Sequence, residues 1–389
     1  MTFFFFTKIK GRIIIMKKSN YVIRNTLGMF DFLKGSVMLI VMLYHIAGLF
    51  DFMQGYDSYD SLFSTINPLL LIVYVFIYAL GEAAMPIMFI LSGYGFRKTT
   101  FKKCFKTQCK TLLIPYVVSM ILVAVVNFVA FYINSGNFRG TLAGTFTLFK
   151  NMLFGYASSS PNWFLLALII GNLIFNQLLN MLEGKKLLAA VVGVACIGWL
   201  LSLGKELPLS VSQALIATMY IGAGYFAKKR KVFVTQYSVS KRRLIIIGAI
   251  LYTVAFKALG DDLNMAFCVY TYGPITLVGN LIISMGFIYM FLLLNRYNAF
   301  LISQIRRIGR YSLYVLCIHT IEFKAVGQFL QGKFVQNWTG GVVSRNLIQF
   351  GVRCIVVLGL TYIFVQLKHV LANKSIKFHN LNYIWRKQA

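Results

Sequence analysis

The sequence predicts an all-α integral membrane protein of about ten transmembrane helices with both termini in the cytoplasm. Three observations carry this. The 389-residue chain is 58% hydrophobic and 13% charged, where soluble domains hold roughly 45–50% apolar and about 25% charged residues. Its apolar residues form continuous runs near the roughly 20 residues a bilayer-crossing helix needs, without the alternation of barrel strands. Its Lys and Arg concentrate in every second connection between those runs.

The runs lie near 30–50, 68–96, 111–134, 162–182, 186–203, 211–227, 244–259, 275–294, 311–330 and 347–367. The second is long, with a tilt or break expected at Pro86. Short connections at 183–185 and 204–210 mark helical hairpins. Connections on one side of this arrangement hold 30 Lys and Arg, against 5 on the other. The positive-inside rule makes the basic side cytoplasmic. Asp51, Asp57, Asp60, Glu206, Asp261 and Asp262 fall in the opposite loops. The domain plan is a cytoplasmic segment at 1–29, a membrane domain at 30–372 and a basic cytoplasmic tail at 373–389. The opening MTFFFFTKIKGRIIIMKKSN lacks the long apolar core and small-residue cleavage site of a signal peptide. Met16, ahead of Lys17 and Lys18, reads as an alternative start that would make residues 1–15 a mis-called extension.

A net charge of +29 would point a soluble protein toward nucleic acid. Here the basic residues are short runs between apolar spans, so topology and anionic lipid headgroups explain them, and no nucleic-acid partner is expected. The six cysteines form neither a disulfide framework nor a metal-ligand pattern, and no metal is expected. The sequence leaves the oligomeric state open.

Ionisable groups inside spans are costly and mark cavities, partners or pathways. The first span, DFLKGSVMLIVMLYH, keeps Asp31, Lys34 and His45. Eleven helical steps from Lys34 to His45 rotate about 20° and rise about 16 Å. Asp31 and Lys34 are neighbours at i,i+3. All three share one stripe, with Lys34 at the cytoplasmic mouth and His45 in the outer half. Two readings stand. In one, Lys34 snorkels and His45 is a helix–helix contact. In the other, His45 is a base that takes a proton from a hydroxyl, while Lys34 holds a phosphate at the far end of a channel. Glu82, mid-span, either pairs with Lys257 or Arg353 or orients His45. His319 and Glu322 can pair at i,i+3, whereas Tyr314 and His319 lie about 140° apart on their helix. Asn162 and Trp163 stand at the outer interface, where Trp is ordinarily an anchor.

The first span resembles the opening of the membrane acyltransferase 3 family, O-acyltransferases of cell-surface sugars, in which a basic residue, ten intervening residues and a histidine follow one another. Arginine is commoner than lysine at the first of these positions, and Lys34 keeps the charge without the planar fork. In order along the chain, MPIMFILSGYGFRK (Met85–Lys98), KTLLIPYVVS (Lys110–Ser119), PNWFLLALI (Pro161–Ile169) and IGRYSLYVLCIHTIE (Ile308–Glu322) are similar to later signatures of that family. The likeness implies the stand-alone form, without an extracellular esterase-like domain. It implies a multi-pass protein of the cell membrane with no tightly bound cofactor, using acyl-CoA, most simply acetyl-CoA, as donor. The acceptor would be a hydroxyl of a surface polysaccharide, lipid-linked sugar or peptidoglycan. His45 would be general base or transient acyl carrier, steadied Lys34 (by Asp31) and Arg97 would face CoA, and Ser92-Gly93 would let backbone approach it. A transporter or flippase for a lipid-linked saccharide, or an assembly component without catalysis, fits the spans and charges as well.

Overall fold

The computed structural model describes residues 6–9, 12–15, 27–46, 49, 67–235, 237–297, 299–324, 327 and 337–387. It is 82% helical, with a short antiparallel pair β1 (Phe6–Ile9) and β2 (Arg12–Ile15) ahead of the bundle. The helices are α1 (Asp31–Tyr44), α2 (Pro68–Gly95), α3 (Phe101–Gln108), α4 (Ile114–Ser135), α5 (Phe138–Leu153), α6 (Trp163–Met181) and α7 (Gly184–Ser202). They continue as α8 (Val211–Lys229), α9 (Val239–Ala258), α10 (Pro274–Leu294), α11 (Phe300–Arg310), α12 (Ser312–Lys324) and α13 (Val342–Lys387). A two-residue hairpin, β3 (Leu263–Asn264) with β4 (Val269–Tyr270), joins α9 to α10.

Among the described residues, seven segments are long and apolar enough to cross a membrane. They are α2, α3–α4 together, α6, α7, the segment Pro208–Lys229 containing α8, α10 and the first half of α13. The chain is therefore an all-α, multi-pass membrane protein. The other three expected spans correspond to shorter or more charged helices. α1 has 14 residues and α12 has 13, and α12 directly adjoins residues outside the described ones. α9 carries Lys241, Arg242, Arg243 and Lys257. Three connections expected to be plain loops hold helices α3, α5 and α11. In α3 the reason is visible in the sequence: Phe101, Cys104 and Phe105 recur at helical spacing while Lys102, Lys103 and Lys106 take the other face. α13 continues through residue 373, so the expected tail begins without a break in the helix. A single π-turn, Cys109–Leu113, joins α3 to α4 just before Pro115, which has no N–H to give the preceding turn.

Small residues set the closest contacts, as expected where helices pack without a hydrophobic drive. A Cβ on Gly35 of α1 would lie 2.0 Å from the Ile305 carbonyl of α11, and one on Gly309 would lie 1.8 Å from the Asp31 carbonyl. Gly93 and Gly224 bring α2 and α8 together in the same way, against Ile221 and Ile90. α1 and α2 run antiparallel. Phe30, just before α1, packs edge-on against Tyr94 at one end, and Tyr44 meets Gly81 and Tyr78 at the other. The bundle thus has a Lys34 end and a His45 end, and α1 is buried along most of its length between them.

Candidate active site

At the His45 end, α1 terminates on the histidine itself. The Nδ1–H of His45 donates to the Val41 carbonyl at 2.7 Å, which also accepts the His45 backbone N–H at 3.2 Å. Because a carbonyl only accepts, this bond fixes the proton on Nδ1 and leaves Nε2 as the basic nitrogen of the neutral ring. The ring lies across from His319 of α12, centroids 5.3 Å apart, and edge-on to Phe323 at 5.0 Å.

Behind His319 stands a buried ionic chain. Its Nδ1 is 3.4 Å from Glu322 Oε2, one helical turn on. Glu322 is paired with Arg353 of α13 at 3.1 Å. Arg353 also donates from Nη1 to the Met42 carbonyl at 3.0 Å, placing a cation at the C-terminal end of the α1 dipole. His319 Nε2 is buried and has no hydrogen-bond partner among the described residues. Such an orphan in a buried site needs an explanation.

His45 also faces a cavity of about 260 Å³, lined in addition by Tyr44, Glu82, Trp163, Leu316 and residues Leu263–Phe267. Those five residues, the β3–β4 hairpin and its turn, form one wall. Three ties hold this wall. The Leu263 N–H donates to Glu82 Oε1 at 2.7 Å, Lys257 donates to the Asp261 carbonyl at 2.9 Å, and the Tyr78 hydroxyl donates to Asp262 at 3.0 Å. Glu82 and Lys257 form a buried ion pair. Of the two roles open to Glu82, the geometry gives the pairing with Lys257.

Asn162 is buried. It donates to Ser119 at 2.7 Å and accepts from Thr320 at 2.9 Å, tying α4, α6 and α12 together beneath the cavity, while its neighbour Trp163 lines it. Tyr314 points away, bonded to Lys368 of α13 at 2.5 Å.

At the Lys34 end, Asp31 accepts from Lys34 at 2.7 Å and from Arg310 at 3.4 Å. Arg97 is exposed just beyond α2. Ser92 bonds Asn172 at 3.2 Å, and the space left by the missing side chain of Gly93 is taken by Ile221. Neither Lys34, Ser92, Gly93 nor Arg97 lines the His45 cavity. Between the two ends the α1 stripe is filled by buried Val37, Met38 and Val41. The structure thus brings together His45, Glu82 and Trp163 on one cavity, sets His319 and Glu322 behind His45, and holds Asp31 with Lys34 some distance below. Sequence reasoning missed Tyr44 and the 263–267 wall. The available signal was Asp261, four residues from intramembrane Lys257.

The bundle is that of an all-α, multi-pass membrane protein, with His45 on a cavity at one end and the Asp31–Lys34–Arg310 cluster at the other. The family model Acyl_transf_3, described as an acyltransferase domain, matches residues 28–366, and the chain belongs to this family. It is an acyltransferase. Searches among curated proteins and solved structures returned no match.

Proposed function

We propose that this protein is an O-acyltransferase of the cell membrane, moving an acyl group, most simply acetyl, from cytoplasmic acyl-CoA to a hydroxyl of a surface polysaccharide or lipid-linked sugar. The observation that carries this reading is the His45–Val41 hydrogen bond, which leaves Nε2 as a base on a ring facing the cavity.

In this reading an acceptor hydroxyl in the cavity gives its proton to His45 Nε2 while its oxygen attacks the thioester carbonyl. The tetrahedral adduct expels the CoA thiolate, which takes the proton back from the imidazolium, so ester and thiol form and His45 returns neutral. The Nδ1–H···O bond to Val41 holds the ring through both transfers. Glu322 and Arg353 fix His319 beside it, and the free Nε2 of His319 supplies a polar contact for acceptor or adduct. Lys34, steadied by Asp31, and Arg97 meet the CoA phosphates at the basic, cytoplasmic end. Because Val37, Met38 and Val41 fill the stripe between, donor binding has to part α1 from a neighbour before the thioester reaches His45.

The test is CoA release from acetyl-CoA by protein in nanodiscs with crude cell-envelope glycan as acceptor, wild type beside His45→Ala. The expected result is a drop of roughly 10²–10⁴-fold in the variant with an unchanged melting transition. Equal release from both proteins would overturn the reading.

A further inference from the structure

A second concavity lies on the lipid-facing side of the bundle. α9 packs closely on α10, where a Cβ on Gly286 would lie 2.7 Å from Ala249 Cβ and Phe256 sits against Gly279. α2 packs on the same helix through Phe76 and Phe287, ring centroids 5.5 Å apart. α9 is pinned to α2 by the Lys257–Glu82 pair. A trough of about 380 Å³ remains between α2 and α9, floored by α10.

Its chemistry is narrow. Val75, Ala79, Ile250, Val254, Ile283 and Met290 represent a lining that is apolar but for Thr253, whose hydroxyl already donates to the Ala249 carbonyl at 2.7 Å. The trough therefore offers a ligand no free polar group. Ile72, Ile250 and Val254 are exposed, and α2 and α10, which pack beside α9, are long and apolar enough to cross a membrane. An α-helix about 10 Å across does not enter a space of this volume between two helices, whereas a single hydrocarbon chain does.

The trough also leads somewhere. Ala79 is one helical turn before Glu82, and Thr253 is one turn before Lys257. Glu82 lines the His45 cavity. Trough and cavity follow one another along α2, so a chain lying in the first presents its head to the second. We propose that the trough seats the hydrocarbon tail of the acyl acceptor, which is therefore a lipid-anchored hydroxyl compound taken from the bilayer rather than a free soluble glycan. This rests on the acyltransfer reading and narrows its acceptor class.

The test uses full-length protein in nanodiscs with a long-chain alkyl glucoside carrying a diazirine in its tail, and methyl glucoside as the tailless counterpart. Ile250→Trp and Val254→Trp fill the trough from lipid-exposed positions, so folding is spared. Leu251→Trp, exposed but outside the lining, is the control. Photolabelling of the α2 and α9 peptides is expected to fall at least tenfold in both trough variants and to stay at the wild-type level in the control. Acetyl transfer to the tailed glucoside is expected to fall in parallel, while transfer to methyl glucoside, low in all proteins, does not change. Labelling unaffected by the trough variants, or displaced as well by phosphatidylglycerol as by unlabelled alkyl glucoside, would mean a bilayer lipid only and overturn the proposal. A wild type that transfers to neither glucoside nor envelope glycan would instead count against the acyltransfer reading, and the labelling result would still decide the trough.

Discussion

The Glu322–Arg353 pair allows a quantitative test of how the His45 end is held. Both side chains are almost wholly buried, at 1% and 5% exposed. Glu322→Leu leaves a guanidinium without its counter-charge, and Arg353→Met leaves a carboxylate beside His319. Either single change breaks a buried pair and is expected to cost about 3–5 kcal/mol. The double variant removes both charges together, and its main loss is the donor to the Met42 carbonyl, worth about 1–3 kcal/mol for an unsatisfied buried group. The two singles together should therefore exceed the double by at least about 3 kcal/mol. Equilibrium unfolding in mixed micelles, followed by intrinsic fluorescence, measures all three. Costs that add within about 0.5 kcal/mol would refute the reasoning, because the residues would then act independently. The double variant separates folding from function too. It should fold but transfer acyl groups poorly, since His319 loses the carboxylate that fixes it.

Lys34→Ala should raise the KM for acyl-CoA roughly 10- to 100-fold, from the loss of about 1.5–3 kcal/mol of charge-assisted contact, with kcat changed much less and Lys34→Arg restoring the KM; steady-state kinetics decide it. Gly35→Val and Gly309→Val should abolish monodisperse expression, because each Cβ would meet a backbone oxygen at 2.0 Å or less, while Gly144→Ala, with nothing within 4 Å, should elute as wild type in size-exclusion chromatography. Burial pushes the thiol of Cys268, in the connection between β3 and β4, up to about 11. A raised thiol pKa means less thiolate at any pH below it, so in a variant keeping only this cysteine, maleimide labelling at pH 8 should be roughly 100-fold slower than for glutathione, and should speed up about tenfold per pH unit up to about pH 10. A rate equal to the free thiol's would refute the burial argument.

What could be read in the sequence was local. The i,i+3 pairings of Asp31 with Lys34 and of His319 with Glu322 are set by helix geometry alone, and both are made. Glu82 needed a basic partner, and the sequence offered Lys257 and Arg353; only the packing of α9 beside α2 and of α13 beside α12 decides between them. The close approach expected of Ser92-Gly93 was to CoA, whereas the backbone that Gly93 meets in the structure is that of α8. Its place before an apolar run says nothing of the partners of Asn162, whose amide links three helices. The 263–267 wall was illegible because a two-residue hairpin has little conformational preference of its own. Its place is fixed by ties from Glu82 and Tyr78, more than 180 residues earlier in the chain.

The filled stripe between Lys34 and His45 limits how the two ends can communicate. On the α11 side, α1 is sealed by backbone against backbone at Gly35 and Gly309. No side-chain rotation relieves such a contact. On the α2 side, Tyr44 closes over Gly81. Toward α12 and α13 the contacts are of another kind: two imidazoles edge to face, the Phe323 ring, and one guanidinium reaching the Met42 carbonyl. These are side-chain contacts that rotamer changes can exchange within ps–ns once space exists. In the acyltransfer reading proposed above, a donor arm moving up from Lys34 meets least resistance between α1 and the α12–α13 pair, beside the His319 nitrogen that has no hydrogen-bond partner among the described residues. A disulfide between Met38→Cys and a cysteine placed on the facing turn of α12 should then block transfer and release it on reduction, whereas the same staple between α1 and α11 should leave the rate unchanged.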